Sequence, residues 1–405
     1  MTNGMVIVGG GMAGARAIVN LRASGYEGAI TLVGEETLLP YDRPPLSKAM
    51  ITDEQEPQPA WLLDESMLVS LNATVLRGVR AKSIDRASKT LHLEDGVSLS
   101  YEKLLIATGA KPRRLTLPGG ELGYTLRDYA DGDHLRNRIR NSAAVAIIGG
   151  GFIGLEVAAS ARKLGAAVTL IEAQPRILMR GVPQDIADVV HARHEAAGVA
   201  MQVGTGLSAI ETDGVVLADG RKIKADIVIA GIGATPQTAL AEQAGLAVDN
   251  GITCDATLRT ADADIFAAGD CCSFPHQLFG HKRMRLEAWR NATDQANVAT
   301  ENMLGGSTAY TAVPWFWSDQ HDLSLQIAGV PGDGVETVRR QLSDQAFIIF
   351  HRDASGRLVG ASGIGPGNSI ARDVKLAEML IAKSAAPASA ALADASVGLK
   401  SLLKG

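Results

Sequence analysis

Two stretches of this chain carry the same pattern. Met5-Val6-Ile7-Val8 and Ala144-Val145-Ala146-Ile147-Ile148 are unbroken apolar runs, the pattern of a parallel strand covered on both faces. Each runs straight into glycines spaced G-x-G-x-x-G, Gly9, Gly11 and Gly14 in the first and Gly149, Gly151 and Gly154 in the second, and then into helix-forming sequence. Each is followed by another apolar run ending in acid: residues 29–34 lead to Glu35 and Glu36, and residues 167–171 lead to Glu172. The pattern predicts strand, tight turn, helix and strand twice over.

Further strands are expected within residues 79–93, 103–108, 225–236 and 260–270. After residue 314 the runs become short and alternating, at 323–328, 336–340, 346–350 and 358–362, which predicts an antiparallel sheet. Asn368 is placed to cap an amphipathic helix through Lys383, with Ile370, Val374, Ala377 and Leu380 on one face. The tail 384–405, rich in Ala and Ser, is expected to pack loosely.

The glycines carry the chemistry. The first of each set permits a tight turn, the second lets backbone approach a pyrophosphate, and the third lets helix pack closely on strand. Phosphates then sit on the N-terminal end of the helix, where free N–H groups and the helix dipole favour negative charge. One such loop is weak evidence, but two imply two dinucleotides bound at once and electron transfer between them. Glu172 suits a ribose diol and opposes a 2'-phosphate, which favours NADH over NADPH, although Arg176 lies close in sequence.

Composition narrows the class further. A chain of 405 residues, 46% apolar and 20% charged, has ample core for two or three domains. Its net charge of -5 opposes nucleic-acid binding. No stretch is long enough to be a membrane helix, and the first glycine loop leaves little room for a signal peptide, so a cytoplasmic protein without a membrane partner is expected.

Cys254, Cys271 and Cys272 show no C-x-x-C spacing and read as buried thiols. His191 and His194 read as a solvated helix face rather than a metal site, and no metal is expected. In Leu39-Pro40-Tyr41-Asp42-Arg43-Pro44-Pro45-Leu46-Ser47-Lys48 the prolines predict a stiff, non-helical path that presents Arg43 and Lys48; a surface turn with solvated charges satisfies the same residues. Asp270, at the end of an apolar run, either accepts hydrogen bonds from a sugar-like chain or caps a turn.

Together, the 39–48 segment, the loop at 149–157, Ala267-Ala268-Gly269-Asp270, Arg285-Leu286-Glu287-Ala288-Trp289 and Val313-Pro314-Trp315-Phe316-Trp317-Ser318-Asp319-Gln320 resemble a known family. They are similar to the FAD-dependent oxidoreductases with two dinucleotide domains built like glutathione reductase. Within these they resemble the NADH-dependent ferredoxin reductases that serve cytochrome P450 and ring-hydroxylating oxygenases.

The resemblance implies an α/β fold with two Rossmann-like dinucleotide-binding domains and a C-terminal α+β domain. FAD would occupy 1–110 with 244–313, NADH 111–243, and the C-terminal domain 314–405. Gly9, Gly11, Met12, Ala13, Gly14, Glu35, Arg43, Lys48, Ala81, Ala107, Thr108, Gly109, Arg127, Gly269, Asp270, Glu287, Ala288, Trp289 and Trp317 would contact FAD. Gly149, Gly151, Phe152, Ile153, Gly154, Glu156, Glu172, Gly231, Ile232 and Gly233 would contact NADH. Lys48 and Glu156 are the implied catalytic pair, facing each other beside the flavin to fix the nicotinamide carboxamide.

The implied partner is a small [2Fe-2S] ferredoxin and, through it, an oxygenase. Disulfide reductases of this superfamily hold a reactive cysteine beside the flavin, and neither 39–48 nor either glycine loop contains one. Electrons would leave directly to an external acceptor. Trp315-Phe316-Trp317 and the basic run His281-Lys282-Arg283-Met284-Arg285, with Arg290, Arg339 and Arg340, are candidates for that exit, against sheet packing and ordinary solvation. A flavoprotein acting on oxygen, a quinone or a rubredoxin would use the same two sites. An NADH sensor resembling apoptosis-inducing factor would carry a long C-terminal insertion, and residues 318–383 contain only short turns.

Overall fold

Every residue of the strand Gly4–Val8 is buried, as an apolar run without polar interruption requires. The computed structural model describes residues 4–55 and 57–404. Their chain segments gather into two units. The first combines Met1–Asp42, Pro59–Lys111 and Thr235–Pro314; the second combines Arg43–Gln58, Pro112–Ala234 and Trp315–Gly405.

In the first unit Gly4–Val8 pairs in parallel with Ile30–Val33 on one side and Ser98–Ile106 on the other. Ala73–Leu76 and Ile265–Ala267 extend the parallel sheet at its two ends. Residues 79–93 form two antiparallel strands, Ala81–Asp85 and Thr90–Leu93, which join the sheet through Ser98–Ile106. The helices Met12–Ala23 and Trp289–Met303 pack on each other. Their buried faces, including Ala17, Ile18, Leu21, Ala296 and Ala299, complete the core with the strands.

The second unit repeats the plan. Ala144–Ile148 pairs in parallel with Ala167–Glu172 and Ile227–Ala230, and Val199–Val203 adds to Ala167–Glu172. The strand order around the first strand is thus the same in both units. A three-stranded antiparallel sheet, Leu207–Glu211, Gly214–Leu217 and Lys222–Lys224, follows. The expected C-terminal sheet is present with five antiparallel strands, Trp315–Gln320, Leu323–Gly329, Leu358–Pro366, Ala346–Arg352 and Glu336–Ser343 in that spatial order. The helix Ala371–Ala382 covers it with Val374, Ala377 and Leu380 fully buried.

Four expectations are corrected. Pro44–Ser47 is a tight helical turn followed by Ala49–Thr52, not a non-helical path, because prolines at the first two positions of a turn lose no helical N–H bond. Asn368 is not the cap: Ile370 occupies that position and no side chain caps the helix. The tail is anchored, with Leu392 and Leu399 fully buried and Arg340 donating to the carbonyls of Leu392, Asp394, Ala395 and Val397. His194 is buried, on the face that Ile186 and Val190 share, while His191 pairs with Glu195.

Burial pushes the His194 and His351 imidazoles down to about 4. An unfolded histidine titrates near ~6.5, so between these values the unfolded chain binds more protons and stability rises with pH. The stabilisation is complete above about pH 6.5 and is lost progressively as pH drops toward 4. The unfolding free energy from denaturant curves is expected to fall between pH 7 and 5 by on the order of 2–4 kcal/mol in all, and His351→Leu is expected to flatten that slope.

Candidate functional site

The first glycine loop is shaped by the strand that precedes it. Gly9 has φ +121°, and a Cβ there would lie 2.1 Å from the Ala107 carbonyl oxygen, so only glycine lets the chain turn beside Ala107. Gly11 differs. Its φ is -87°, and a Cβ there would meet nothing within 4 Å, so nothing in the protein itself requires a glycine. The open space lies at the N-terminal end of Met12–Ala23, where a pyrophosphate would sit.

Ala13 and Gly269 face each other across this loop: a Cβ on Gly269 would be 3.5 Å from that of Ala13. Gly269 N–H donates to Gln295 Oε1 at 2.7 Å, and Gln295 Nε2, fully buried, has no partner among the described residues. A buried amide donor left over beside the loop fits a cofactor rich in acceptor oxygens. The strand Ile265–Ala267 delivers Gly269 and Asp270, and the Asp270 carbonyl accepts from Arg285 Nη1. Glu287 pairs with that same Arg285, and Ala288 is the N-cap of the helix that Trp289 begins. The Trp289 indole donates to Asp42 Oδ1 at 2.7 Å.

Glu35 lies beyond Ile30–Val33, paired with Arg80 at 3.0 Å on the surface, and Ala81 opens the strand Ala81–Asp85. Thr108 Oγ1 donates to the Gln237 carbonyl at 2.6 Å, and Gln237 Nε2 returns a bond to the Thr108 carbonyl. These paired bonds hold Thr108 and Gly109 at the end of Ser98–Ile106. Cys271 hydrogen-bonds the carbonyls of Ile106 and Ala268, and burial pushes its thiol up to about 11. Cys254, Cys271 and Cys272 are all free and buried, and burial also raises Cys272. The desolvated Cys271 and Cys272 thiols stay protonated, and so unreactive, at neutral pH.

The second glycine loop repeats the geometry of the first. Gly149 has φ +104°, with the Gly231 carbonyl oxygen 2.5 Å from where a Cβ would stand, while one on Gly151 would find only a single atom, at 3.9 Å. Gly154 sits in the first turn of Phe152–Lys163, and Gly231 N–H donates to the Ile148 carbonyl, so Gly231, Ile232 and Gly233 run beside the loop. The Glu172 carboxylate accepts from Gly150 N–H and Gln174 N–H, both at 2.7 Å, which fixes it at the mouth of the loop. The Arg176 guanidinium is occupied by its own segment, donating to the carbonyls of Ile177, Leu178 and Val182. Ile153 is exposed, whereas Phe152 packs edge-on against Phe316 at 4.8 Å.

One turn along the same helix stands Glu156, 5% exposed. Lys48 Nζ lies 2.8 Å from its Oε2, so the structure brings the two residues of the implied pair together. Two hydroxyls complete the site: Ser47 donates to Oε2 at 2.5 Å and Ser318 to Oε1 at 2.6 Å. Ser47 and Ser318 were not singled out from sequence, and no local pattern marks them. Ser160 Oγ holds the Ser47 carbonyl, and Arg136, also buried, holds those of Met50, Glu54 and Gln55, which stiffens the segment carrying Lys48. In the same segment Arg43 donates to the Arg127 carbonyl at 2.6 Å.

Trp315 and Trp317 stack at 5.3 Å, on the strand face opposite Phe316, as alternation requires. The basic exit is largely committed elsewhere: Arg283 serves the Cys254 and Ser273 carbonyls, Arg285 serves Glu287, and Arg340 is 2% exposed. Among the described residues no cluster of His, Cys, Asp and Glu could hold a metal ion. No helix among the described residues is long and apolar enough to cross a membrane.

Comparison with known proteins agrees with this plan. A family model described as pyridine nucleotide-disulphide oxidoreductase matches residues 4–296, and one described as reductase C-terminal matches 315–403. The ferredoxin–NAD(+) reductase component of the anthranilate 1,2-dioxygenase system of Burkholderia cepacia is 40% identical over 407 residues, covering 98% of each chain. A rubredoxin–NAD(+) reductase of Pseudomonas putida is 42% identical over 336 residues, covering 81% of this chain and 87% of its own. Among solved structures, the covalent putidaredoxin reductase–putidaredoxin complex matches with a TM-score of 0.93 at 33% identity, covering 100% of this chain and 98% of that one.

Proposed function

Since this chain belongs to the pyridine nucleotide-disulphide oxidoreductase family, we propose that it is an FAD-dependent NADH:ferredoxin oxidoreductase, passing electrons to a small [2Fe-2S] ferredoxin that supplies an oxygenase. The observation that carries this reading is two dinucleotide loops, each with an open second glycine, in a chain whose three cysteines are buried and unbridged. With no surface thiol or disulfide to receive electrons, an external carrier must. FAD held by these residues would supply a two-electron acceptor for the hydride of NADH and a one-electron donor to the carrier.

The residues position and shield rather than transfer protons. Gly11 and the N-terminal turn at Met12 and Ala13 receive the FAD pyrophosphate, Glu35 its ribose, and Asp270 with Gln295 its sugar-like chain. Ala81, Ala107, Thr108 and Gly109 line backbone close to it, with Arg43, Arg127, Glu287, Ala288, Trp289 and Trp317 as further contacts. Gly151, Phe152, Ile153 and Gly154 receive the NADH pyrophosphate, Gly231, Ile232 and Gly233 line it, and Glu172 accepts from the ribose diol. Lys48 and Glu156 supply a donor and an acceptor to the nicotinamide carboxamide, which fixes the ring that gives up the hydride. The domains are 1–110 with 244–313 for FAD, 111–243 for NADH and 314–405 at the C-terminus. The protein acts in the cytoplasm.

Anaerobic stopped-flow tests the reading. Mixing with NADH is expected to bleach the flavin fast, and an added [2Fe-2S] ferredoxin from the same organism is expected to reoxidise it with little oxygen uptake. Reoxidation only by oxygen or a quinone would overturn it. The rubredoxin-reductase relative favours a second reading, and faster reoxidation by a rubredoxin than by any ferredoxin would select it.

Glu172→Ala is expected to shift preference toward NADPH by roughly ten-fold in the ratio of kcat/KM values, since it removes both the diol acceptor and the opposing charge. Steady-state kinetics with each coenzyme at constant flavin content checks this.

A further inference from the structure

From Glu156 a single file of hydrogen bonds leads away from Lys48, through residues that no step above uses. Glu156 Oε1 is 2.6 Å from Ser318 Oγ, Ser318 Oγ is 3.1 Å from Gln320 Nε2, and Gln320 Oε1 is 3.0 Å from His194 Nε2. His194 Nδ1 is in turn 3.4 Å from Nε2 of the half-buried His321. Ser318, Gln320 and His194 are all buried, so their polar atoms depend on one another.

Chemistry gives every hydrogen in this file one place. Lysine only donates, so the Glu156 carboxylate is an acceptor. Ser318 has one hydrogen and must give it to Glu156, so its second contact must be a donor. That turns the Gln320 amide with Nε2 toward Ser318 and Oε1 toward His194. His194 Nε2 must therefore carry its hydrogen. A neutral imidazole then offers a lone pair at Nδ1, and His321 must donate to it from Nε2. Burial, which holds His194 neutral, agrees with this assignment.

We propose that Glu156 sets the tautomers of both His194 and His321, and that Gln320, His194 and His321 are positioning residues whose ordered donors hold the Glu156 carboxylate toward Lys48. The second half rests on the reading of Lys48 and Glu156 as the groups that fix the nicotinamide. The first half does not.

Imidazole 15N NMR of the intact holoenzyme tests the first half, and for the wild type it needs no variant that must fold. Both His194 and His321 are expected to carry hydrogen at Nε2. In Glu156→Gln the introduced amide can donate to Ser318, which frees the file to run in reverse, and a population of His194 hydrogenated at Nδ1 is expected. An Nδ1–H form of either histidine in the wild type, or tautomers unmoved by Glu156→Gln, would overturn the coupling.

For the second half, Gln320→Leu is expected to slow flavin bleaching by NADH about ten-fold at unchanged flavin content, since two buried partners lose their bonds. Bleaching at the wild-type rate would overturn the positioning role. Lys48→Met separates the two failures: bleaching unimpaired by loss of that ammonium would defeat the reading of the nicotinamide site while leaving the tautomers as assigned.

Discussion

Gly9→Ala is expected to yield a protein that purifies without flavin and melts well below the wild type. The residue holds φ +121°, and the added methyl would stand 2.1 Å from the Ala107 carbonyl oxygen, which is backbone of the neighbouring strand and has no freedom to step aside. Strain at a positive φ and a clash with fixed backbone together cost on the order of 3–5 kcal/mol. Either the loop or the end of Ser98–Ile106 must move, and with it the N-terminal end of Met12–Ala23. Gly11→Ala separates fold from ligand. Its methyl meets nothing in the chain, so the apoprotein is expected to melt within about 1 kcal/mol of wild type. Flavin affinity is nevertheless expected to fall at least about ten-fold, because the methyl occupies space that the pyrophosphate needs. Flavin-to-protein absorbance ratios and melting curves of both variants check this. A flavin-saturated Gly11→Ala protein would count against a pyrophosphate at that position.

Arg340→Met is expected to be the most damaging substitution in the C-terminal segment. The guanidinium is almost wholly buried and donates to the carbonyls of Leu392, Asp394, Ala395 and Val397, with distances from 2.7 to 3.3 Å. Removing it leaves four acceptors that can find hydrogen-bond donors only if the tail lifts and admits water. A loss of about 3–5 kcal/mol is expected, with proteolytic cutting concentrated in residues 385–404. Arg339→Met is the control. Arg339 lies over the Phe347 ring at 3.7 Å and pairs with the half-exposed Asp185, so its loss is expected to be about 1 kcal/mol or less. Equal melting temperatures for the two variants would contradict the anchoring role.

What could be read from the sequence was whatever has a period or a fixed local spacing. The apolar runs, the glycines and the terminal acids Glu35 and Glu172 occupy consecutive or regularly spaced positions, so the parallel strands and both loops were visible. The environment of Glu156 was not. Its partner hydroxyls lie 109 and 162 residues away in the chain, and a lone serine carries no signal of where it folds. His194 is a different case. Ile186, Val190 and His194 are four residues apart, which places the imidazole on the apolar face of Gln184–Ala196, and that periodicity outweighs its spacing from His191. The tail is not legible because Ala and Ser composition says little about anchoring. The anchor, Arg340, stands on a strand about fifty residues earlier and looked like one of a pair of solvated charges.

Because each unit is made from three separated segments, neither can close in the order in which the chain is synthesised. Phe266, Ala267 and Cys272 belong to the same buried cluster as Met5 and Ile7, so the first core waits for more than two hundred intervening residues. The second unit takes in Arg43–Gln58 early but receives Ser318 only after the first unit has all its parts. A nascent chain stopped near residue 240 therefore exposes apolar strands from both units, the condition in which holding chaperones engage and aggregation competes. A single cut at any crossover separates segments of at least one unit, so the molecule does not divide into two separately expressible halves by cutting the chain once.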